Sequence, residues 1–262
     1  MYPETKPIIF NCPAEYRAVE VYPIHDLHYG NECFDANRWN ILRDFILSEP
    51  NRYVVWVGDL MENALPNSKS DPLTQIYSPL EQREFVAEQF KAFADRTIAI
   101  VDGNHEYNRS TRFAGLYPLY DAACIAGIED KYRSAYAVMD ISVGSGADRH
   151  KERAYRYIGF ATHKAKDMKS FGTVDCLDGF DFLLYGHDHE AREHARCKLT
   201  YNANKRTITF RAVEAVNCGS FLSFGGYGAH GGYRPQTDKM YKLILYGEAH
   251  RIDTVGFYPT KL

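Results

Sequence analysis

Five short runs in this 262-residue chain collect residue types that can hold metal ions: Asp26-Leu27-His28, Gly58-Asp59, Gly103-Asn104-His105-Glu106, His163 after the apolar run YIGFAT, and Gly186-His187-Asp188-His189. In an extended segment residues two apart point to the same side, so Asp26 and His28 can converge on one ion, and His187 and His189 can face one cleft. Carboxylates combined with imidazoles suit borderline divalent ions, manganese first, with iron, zinc, nickel or cobalt also fitting. A paired site sets two ions about 3.5–4 Å apart and needs a bridging ligand. Asp59 is the natural bridge, because a carboxylate has two oxygens. The glycine before it lets a metal approach the backbone closely. Taken singly, each run is weak: a lone aspartate at such a place reads as a turn or a helix cap. The five in order leave little room for coincidence.

Ligands so scattered must be brought together by a rigid frame, and the intervening sequence supplies one. Residues 17–24 read as a strand running into the first ligand pair, and YVVWVG (53–58) and TIAIVDG (97–103) as strands buried on both faces. Between them lie two helices. One spans 35–48, with Asp35 as cap, Trp39, Leu42, Phe45 and Ile46 on one face, and Pro50 beyond its end. The other opens on Ser78-Pro79-Leu80-Glu81, which supplies an N-cap, a proline at the first helical position and a capping-box glutamate. Val86, Phe90, Phe93 and Ala94 follow at helical spacing. After about residue 130 the pattern turns to strands (SAYAVMDISV, AYRYIGFAT, FDFLLYG, TITFRAVEAVN, MYKLILYG), which predict a second sheet. No Pro/Gly/Ser linker divides the halves, so the expectation is one domain over residues 1–262.

Composition narrows the function classes. Apolar residues make up 45% and charged residues 25%, and the formal net charge is −3, so nothing global advertises a nucleic-acid or membrane surface. No apolar run approaches the roughly 20 residues of a membrane-spanning helix. The opening segment lacks the basic and apolar regions of an export signal, so a cytoplasmic location is expected. The six cysteines then read as free thiols.

The order DxH, GD, GNH(D/E), H, GHxH over residues 20–190 resembles the calcineurin-like metallophosphoesterase superfamily, in its bacterial and phage-type branch, which is similar in core motifs to DNA-repair nucleases. Asn217-Cys218-Gly219-Ser220 resembles that family's NPGS turn, with cysteine in place of proline. The resemblance implies a four-layer αββα sandwich of two mixed β-sheets flanked by helices. It implies that Asp26, His28, Asp59 and His189 bind one metal, and that Asp59, Asn104, His163 and His187 bind a second. His105 becomes the non-ligand histidine that contacts the phosphate and protonates the leaving oxygen, while a hydroxide bridging the metals attacks. That role needs a protonated His105, which a nearby carboxylate can secure. The chain departs from the family where Gly58-Asp59 runs on into Leu60-Met61-Glu62-Asn63, with Glu62 or Asn63 a candidate for supporting the ligands from behind, and where Lys164 follows His163.

The function expected is hydrolysis of phosphate diesters, nucleic acid among them. The alternative is a phosphomonoesterase acting on a nucleotide, a small metabolite or a phosphoprotein. A non-catalytic metal-binding scaffold stands behind both, disfavoured because every motif position is filled. Arg109 and Arg112, close behind the GNHE run, are candidate phosphate binders, with a solvated loop arginine as the plain reading of each. Tyr29 and Tyr107 are candidates for stacking on a base or aryl group, and His25 for packing or hydrogen bonding near Asp26. The 63–78 stretch is a candidate substrate wall. The glycine-rich 219–232 stretch, with His230, is a candidate mobile loop or dimer contact. Oligomeric state is not legible in the sequence.

Overall fold

The computed structural model describes residues 6–68, 71–144, 154–164, 175–226, 229, 235 and 237–262. The buried strands form the centre. In β2 (Ala18–Ile24), β3 (Arg52–Val57) and β4 (Thr97–Val101) nearly every side chain is shielded. Alternate residues go to opposite sides: Tyr53, Val55 and Val57 enter the layer between the sheets, while Val54 and Trp56 enter the layer under the helices. A continuous apolar run is therefore what this strand needs, each buried side chain contributing about 1.5–3 kcal/mol.

Helix α1 (Ala36–Leu47) starts where Asp35 Oδ1 accepts the Arg38 amide at 2.9 Å. Helix α2 (Pro79–Ala92) carries the full Ser78/Glu81 capping box. Trp39, Leu42, Ile46, Val86, Phe90 and Phe93 pack beneath them with Trp56, whose indole N–H donates to Thr97 Oγ1 at 3.0 Å. After β4 come three short turns: α3 (Asn104–Glu106), a π-helical turn Tyr107–Thr111 and α4 (Arg112–Ala114). Helix α5 (Pro118–Ala126), opened by Pro118 and closed by Gly127 in the left-handed region, joins the same layer.

The remaining strands are β1 (Ile8–Asn11), β5 (Tyr132–Arg133), β6 (Ala137–Val143), β7 (Tyr155–Ala161), β8 (Phe182–Leu184), β9 (Arg192–Asn202), β10 (Thr207–Asn217), β11 (Met240–Tyr246) and β12 (Ile252–Phe257). They make two mixed six-stranded sheets, β1-β6-β7-β8-β10-β9 and β12-β11-β2-β3-β4-β5. The two pack face to face through Val19, Val21, Met139, Ile141, Leu184, Val216 and Leu243, among others. The two mixed sheets and their flanking helices are the α/β architecture expected; helices α1, α2 and α5 cover one sheet. The outer face of the other carries Leu177, Leu183, Tyr185, Val213 and Ala215.

The expected division of strands by sequence half needs correction. β11 returns to the first sheet and pairs antiparallel with β2, Leu243 opposite Val21, while the early strand β1 joins the second sheet beside β6. β1, β5, β9, β12 and α5 were not anticipated: they are short, polar-rich or exposed, and so carry weak periodicity. All six cysteines are free. Among the described residues no helix is long and apolar enough to cross a membrane.

Candidate metal centre

The ligand runs lie just past the ends of parallel strands, and the backbone zips those ends together. Asp26 N–H donates to Gly58 O (3.1 Å), His28 N–H to Asp59 O (3.0 Å), Gly186 N–H to His163 O (2.9 Å) and Phe221 N–H to Asp26 O (3.0 Å). Within this weave Asp26, His28, Asp59, His187 and His189 all have positive φ, between 49° and 81°. That region costs a non-glycine residue roughly 1–2 kcal/mol, less for aspartate. Such strain gathers where side chains must be aimed rather than packed. Gly103 is needed for a different reason: a Cβ there would lie 2.0 Å from Asp59 Oδ1.

The side chains converge. His28 Nε2 and His189 Nε2 stand 3.5 and 3.2 Å from Asp26 Oδ1 and 3.1 Å from each other. Atoms sharing an ion at about 2.1 Å stand about 3–3.5 Å apart, so this trio has the spacing of a metal site. Asp59, His163 and His187 form a second such group, with His163 Nε2 at 3.1 Å from Asp59 Oδ2. The groups adjoin, because His163 Nε2 is also 4.0 Å from Asp26 Oδ1. Asp59 Oδ1 accepts the His105 amide (2.8 Å), and Oδ2 is the oxygen that faces the His163 and His105 imidazoles.

Asp26 Oδ1, His28 Nδ1 and His163 Nε2 in this cluster are buried with no hydrogen-bond partner, as is Asn104 Oδ1 in the turn that carries His105. A buried polar atom left unpaired costs about 1–3 kcal/mol, and oxygens and imidazole nitrogens that converge without partners of their own fit a divalent cation. The imidazole protons are assigned by the surroundings. His163 Nδ1 lies 2.7 Å from Val57 O, which fixes its proton there and turns Nε2 inward, the usual arrangement for a metal-binding histidine. His25 does the same for a carboxylate. Its Nε2 accepts the Cys218 amide (3.0 Å), so Nδ1–H donates to Asp26 Oδ2 (2.6 Å), which also accepts His187 N–H (2.8 Å). The Asn217–Ser220 turn thus supports the site through His25.

Without metal, the charges balance one another. Burial pushes Asp26 up, but His189 and His163 outweigh it and hold the carboxyl well below its ordinary range. Asp59 is likewise held low against burial by His105 and His163. Burial disfavours charged His28, yet the adjoining Asp26 and Glu62 carboxylates carry it up to about 10. His163 rises to about 9 because Asp59 and Asp26 overcome the same penalty. His187 is pushed down by burial, His163 and Lys164.

His105 sits beside this cluster. Its Nδ1 is 2.8 Å from Glu62 O, its Nε2 is 3.8 Å from Asp59 Oδ2, and Arg109 Nη2 donates to Nε2 at 2.8 Å. Burial, His28 and Arg109 outweigh the carboxylates Asp59 and Glu62 and push its pKa down to about 4. The free protein therefore holds a neutral His105 with its proton on Nδ1, and the carboxylates do not secure the protonated ring expected. Arg109 also bonds Glu62 O and approaches Glu62 Oε1 at 3.3 Å. Arg112 lies exposed on α4, and no hydrogen bond or ion pair ties it to the cluster among the described residues.

The role of Glu106 escaped the sequence reading, and that of Glu62, a candidate support residue together with Asn63, is now placed. Glu106, fully buried, accepts four backbone amides: Leu60 (2.9 Å) and Met61 (3.1 Å) on Oε1, Asp59 (3.0 Å) and Gly103 (3.0 Å) on Oε2. Glu62 faces His28 Nδ1 at 3.3 Å and accepts Asn31 Nδ2 at 3.1 Å. The signal for Glu106 was its place at the end of the GNHE run; that for Glu62 was the departure after Gly58-Asp59. Tyr29 is not free to stack on a ligand, because its ring lies against Phe85 (3.6 Å, 5°) and Tyr77 (4.9 Å, 6°). Tyr107 is partly exposed. The 63–78 stretch borders the site: Asn63 Nδ2 donates to His105 O (2.8 Å) and Asn67 Nδ2 to Arg109 O (3.2 Å). Of the glycine-rich stretch, 227–228 and 230–232, His230 included, lie outside the described residues.

No protein-family profile matches the chain. Its curated relatives include the DNA polymerase II small subunits of two Halobacterium salinarum strains, each 27% identical over 124 residues, 46% of this chain. The chain spans about a quarter of their length (24%). Among solved structures it is similar to the Zn-complexed Vps29 of Entamoeba histolytica (TM-score 0.40, 12% identity, 91% of this chain and 99% of that one). It is equally similar to a metallophosphoesterase of Sphaerobacter thermophilus (TM-score 0.40, 12% identity, 92% and 88%).

Proposed function

We propose that residues 1–262 form one metal-dependent phosphoesterase domain of the bacterial and phage-type branch, acting on phosphate diesters. The observation that carries this is the convergence of Asp26, His28 and His189 and of Asp59, His163 and His187 into two adjoining groups, with Asp26 Oδ1 and His163 Nε2 buried and unpartnered. Asp26, His28, Asp59 and His189 would hold one divalent ion, manganese by preference, and Asp59, Asn104, His163 and His187 a second. When bound, such ions neutralise charge on phosphate oxygens and acidify water.

The chain's own groups do the rest. Arg109 is placed to move from His105 Nε2 onto a phosphate oxygen. That departure, with the negative charge the ester brings, raises the ring's affinity for a proton. His105 Nε2 then becomes the atom from which the leaving oxygen takes its proton, while Glu62 O keeps Nδ1–H aimed. Glu106 holds the Asp59 loop in place, and His25 fixes Asp26. Cations flank the cluster beside His105 (Arg109) and beside His187 (Lys164). Arg109's charge is shared with Glu62, so the pair suits the single charge of a diester along an extended chain better than a compact dianion. The name of the Halobacterium salinarum relatives agrees with nucleic acid as the polymer.

The test is hydrolysis by the manganese-reconstituted protein of bis-p-nitrophenyl phosphate, p-nitrophenyl phosphate and a single-stranded oligonucleotide. Diesters should be preferred, and His105→Ala should keep its metal yet lose about 10²–10⁴-fold in turnover. A clear preference for the monoester would reject the diesterase in favour of the monoesterase. Metal lost in His105→Ala would reject the assigned role.

A further inference from the structure

The strands β9 and β10 form a hairpin that outruns the sandwich. β10 pairs with β8 only over Glu214–Val216, whereas β9 and β10 pair with each other over eleven positions, from Asn217↔Arg192 to Thr207↔Asn202. The distal half therefore projects as a two-stranded ribbon. The register sets Tyr201 opposite Ile208, Leu199 opposite Phe210 and Cys197 opposite Ala212, so these six share one face. The other face carries Lys198, Thr200, Asn202, Thr207, Thr209 and Arg211. The first face continues a core: Val216, of the same parity as Phe210 and Ile208, lies in the layer between the sheets. Glu214 on the same side meets Thr254 of β12, where the facing sheet ends (3.2 Å). Beyond that point the apolar pattern runs on with no cover among the described residues. Leu199, Tyr201, Ile208 and Phe210 are 68%, 64%, 62% and 73% exposed.

We propose that this face is a homodimer interface, in which the ribbons of two copies pack their apolar faces together about a two-fold axis. Three observations select a second copy. The six residues of the face include no charge, and homodimer interfaces are the more apolar class, whereas partners that come and go keep charged groups. The area suffices: four large side chains about two-thirds exposed offer roughly 500 Å² per copy, so a pair buries about 1,000 Å², the threshold for a specific interface. A lone two-stranded ribbon is also marginal in water, and a facing ribbon supplies the missing third and fourth strands of a sandwich. Nucleic acid is disfavoured, because the cations at the ribbon's root are engaged within the chain. Lys198 Nζ donates to Asp175 O (3.0 Å) and Leu177 O (2.7 Å), and Arg211 pairs with Asp181 (2.7 Å).

The experiment is sedimentation velocity on the full chain across micromolar concentrations. It compares wild type, the apolar-face pair Ile208→Lys with Phe210→Glu, and a control pair carrying the same charges on the opposite face, Thr200→Lys with Thr209→Glu. The expected result is a dimer for wild type and control and a monomer for the apolar-face pair, with metal content equal in all three. A milder pair, Ile208→Thr with Phe210→Thr, keeps β-branched strand formers and guards against loss of folding. It should raise the dimer dissociation constant about tenfold or more. A monomeric wild type overturns the proposal. So does a dimer that persists in the apolar-face pair, as edge pairing through the β9 backbone would give. Dissociation of the control as well overturns it too.

Discussion

Replacing Glu106 with glutamine changes one charge at constant size, and the structure says what that costs. Each carboxylate oxygen accepts two backbone amides, four in all, from Asp59, Leu60, Met61 and Gly103. A glutamine offers one oxygen; either way round, its NH2 faces two buried N–H donors. Two unpaired donors cost about 1–3 kcal/mol each, and the two remaining bonds lose their charge assistance. Against this, burial and the nearby Asp59 carboxylate push the Glu106 pKa up, so a neutral side chain removes an unfavourable charge. The net expected loss is about 2–5 kcal/mol, a large share of the roughly 5–15 kcal/mol that a folded domain possesses. Urea unfolding in the presence of a chelator measures it as a lower midpoint at unchanged slope. Because the same amides hold the Asp59 loop, metal affinity should also fall about 10–100-fold. A midpoint shift worth less than about 1 kcal/mol, together with unchanged metal affinity, would refute the idea of Glu106 as the clamp of that loop.

Three further outcomes follow from the same geometry. His28 and His163, raised to about 10 and about 9, are protonated at neutral pH in the metal-free protein, so metal binding there should release about two protons, read by calorimetry in buffers of differing ionisation enthalpy. Raised values stabilise the metal-free fold below the ordinary imidazole pKa and lose that contribution as pH rises through 9 to 10. The melting temperature of the chelated protein should therefore fall across that window and that of the loaded protein should not; equal profiles would count against it. Asn63 holds φ at 47° and donates to His105 O and Ser110 Oγ (2.9 Å). Asn63→Ala should cost more stability than Asn63→Gly by about 1 kcal/mol, since both lose the bonds but only alanine is strained, and equal melting temperatures would dismiss the strain.

The ligand runs were legible because chemistry leaves few substitutes: aspartate, histidine and asparagine at strand ends have no packing role to explain them. The buried strands and capped helices were legible because apolar periodicity and the Ser78/Glu81 box are local signals. What lay hidden depends on contacts distant in sequence. Nothing near Glu106 states that its carboxylate reaches amides 45 to 47 positions earlier. Nothing near His25 shows that Cys218 fixes its tautomer. The return of β11 to β2 was equally invisible, since an antiparallel partner more than 200 residues away leaves no local mark.

The same distinction explains why the ligand loops tolerate strain. A side chain that packs can relax toward a rotamer, but five residues here take positive φ because strand ends zipped at Gly58 O, Asp59 O and His163 O leave no other way to aim Asp26, His28, Asp59, His187 and His189 at common points. Those points carry two low carboxylates and two raised imidazoles, so in the metal-free protein protons on His28 and His163 occupy the electrostatic place of cations. The arrangement also leaves the buried Asp26 Oδ1 and Asn104 Oδ1 without a hydrogen-bond partner. A divalent ion bound here would relieve those oxygens and displace the protons. Metal binding to this chain should therefore be an exchange of protons for an ion, and apparent metal affinity should weaken as pH falls.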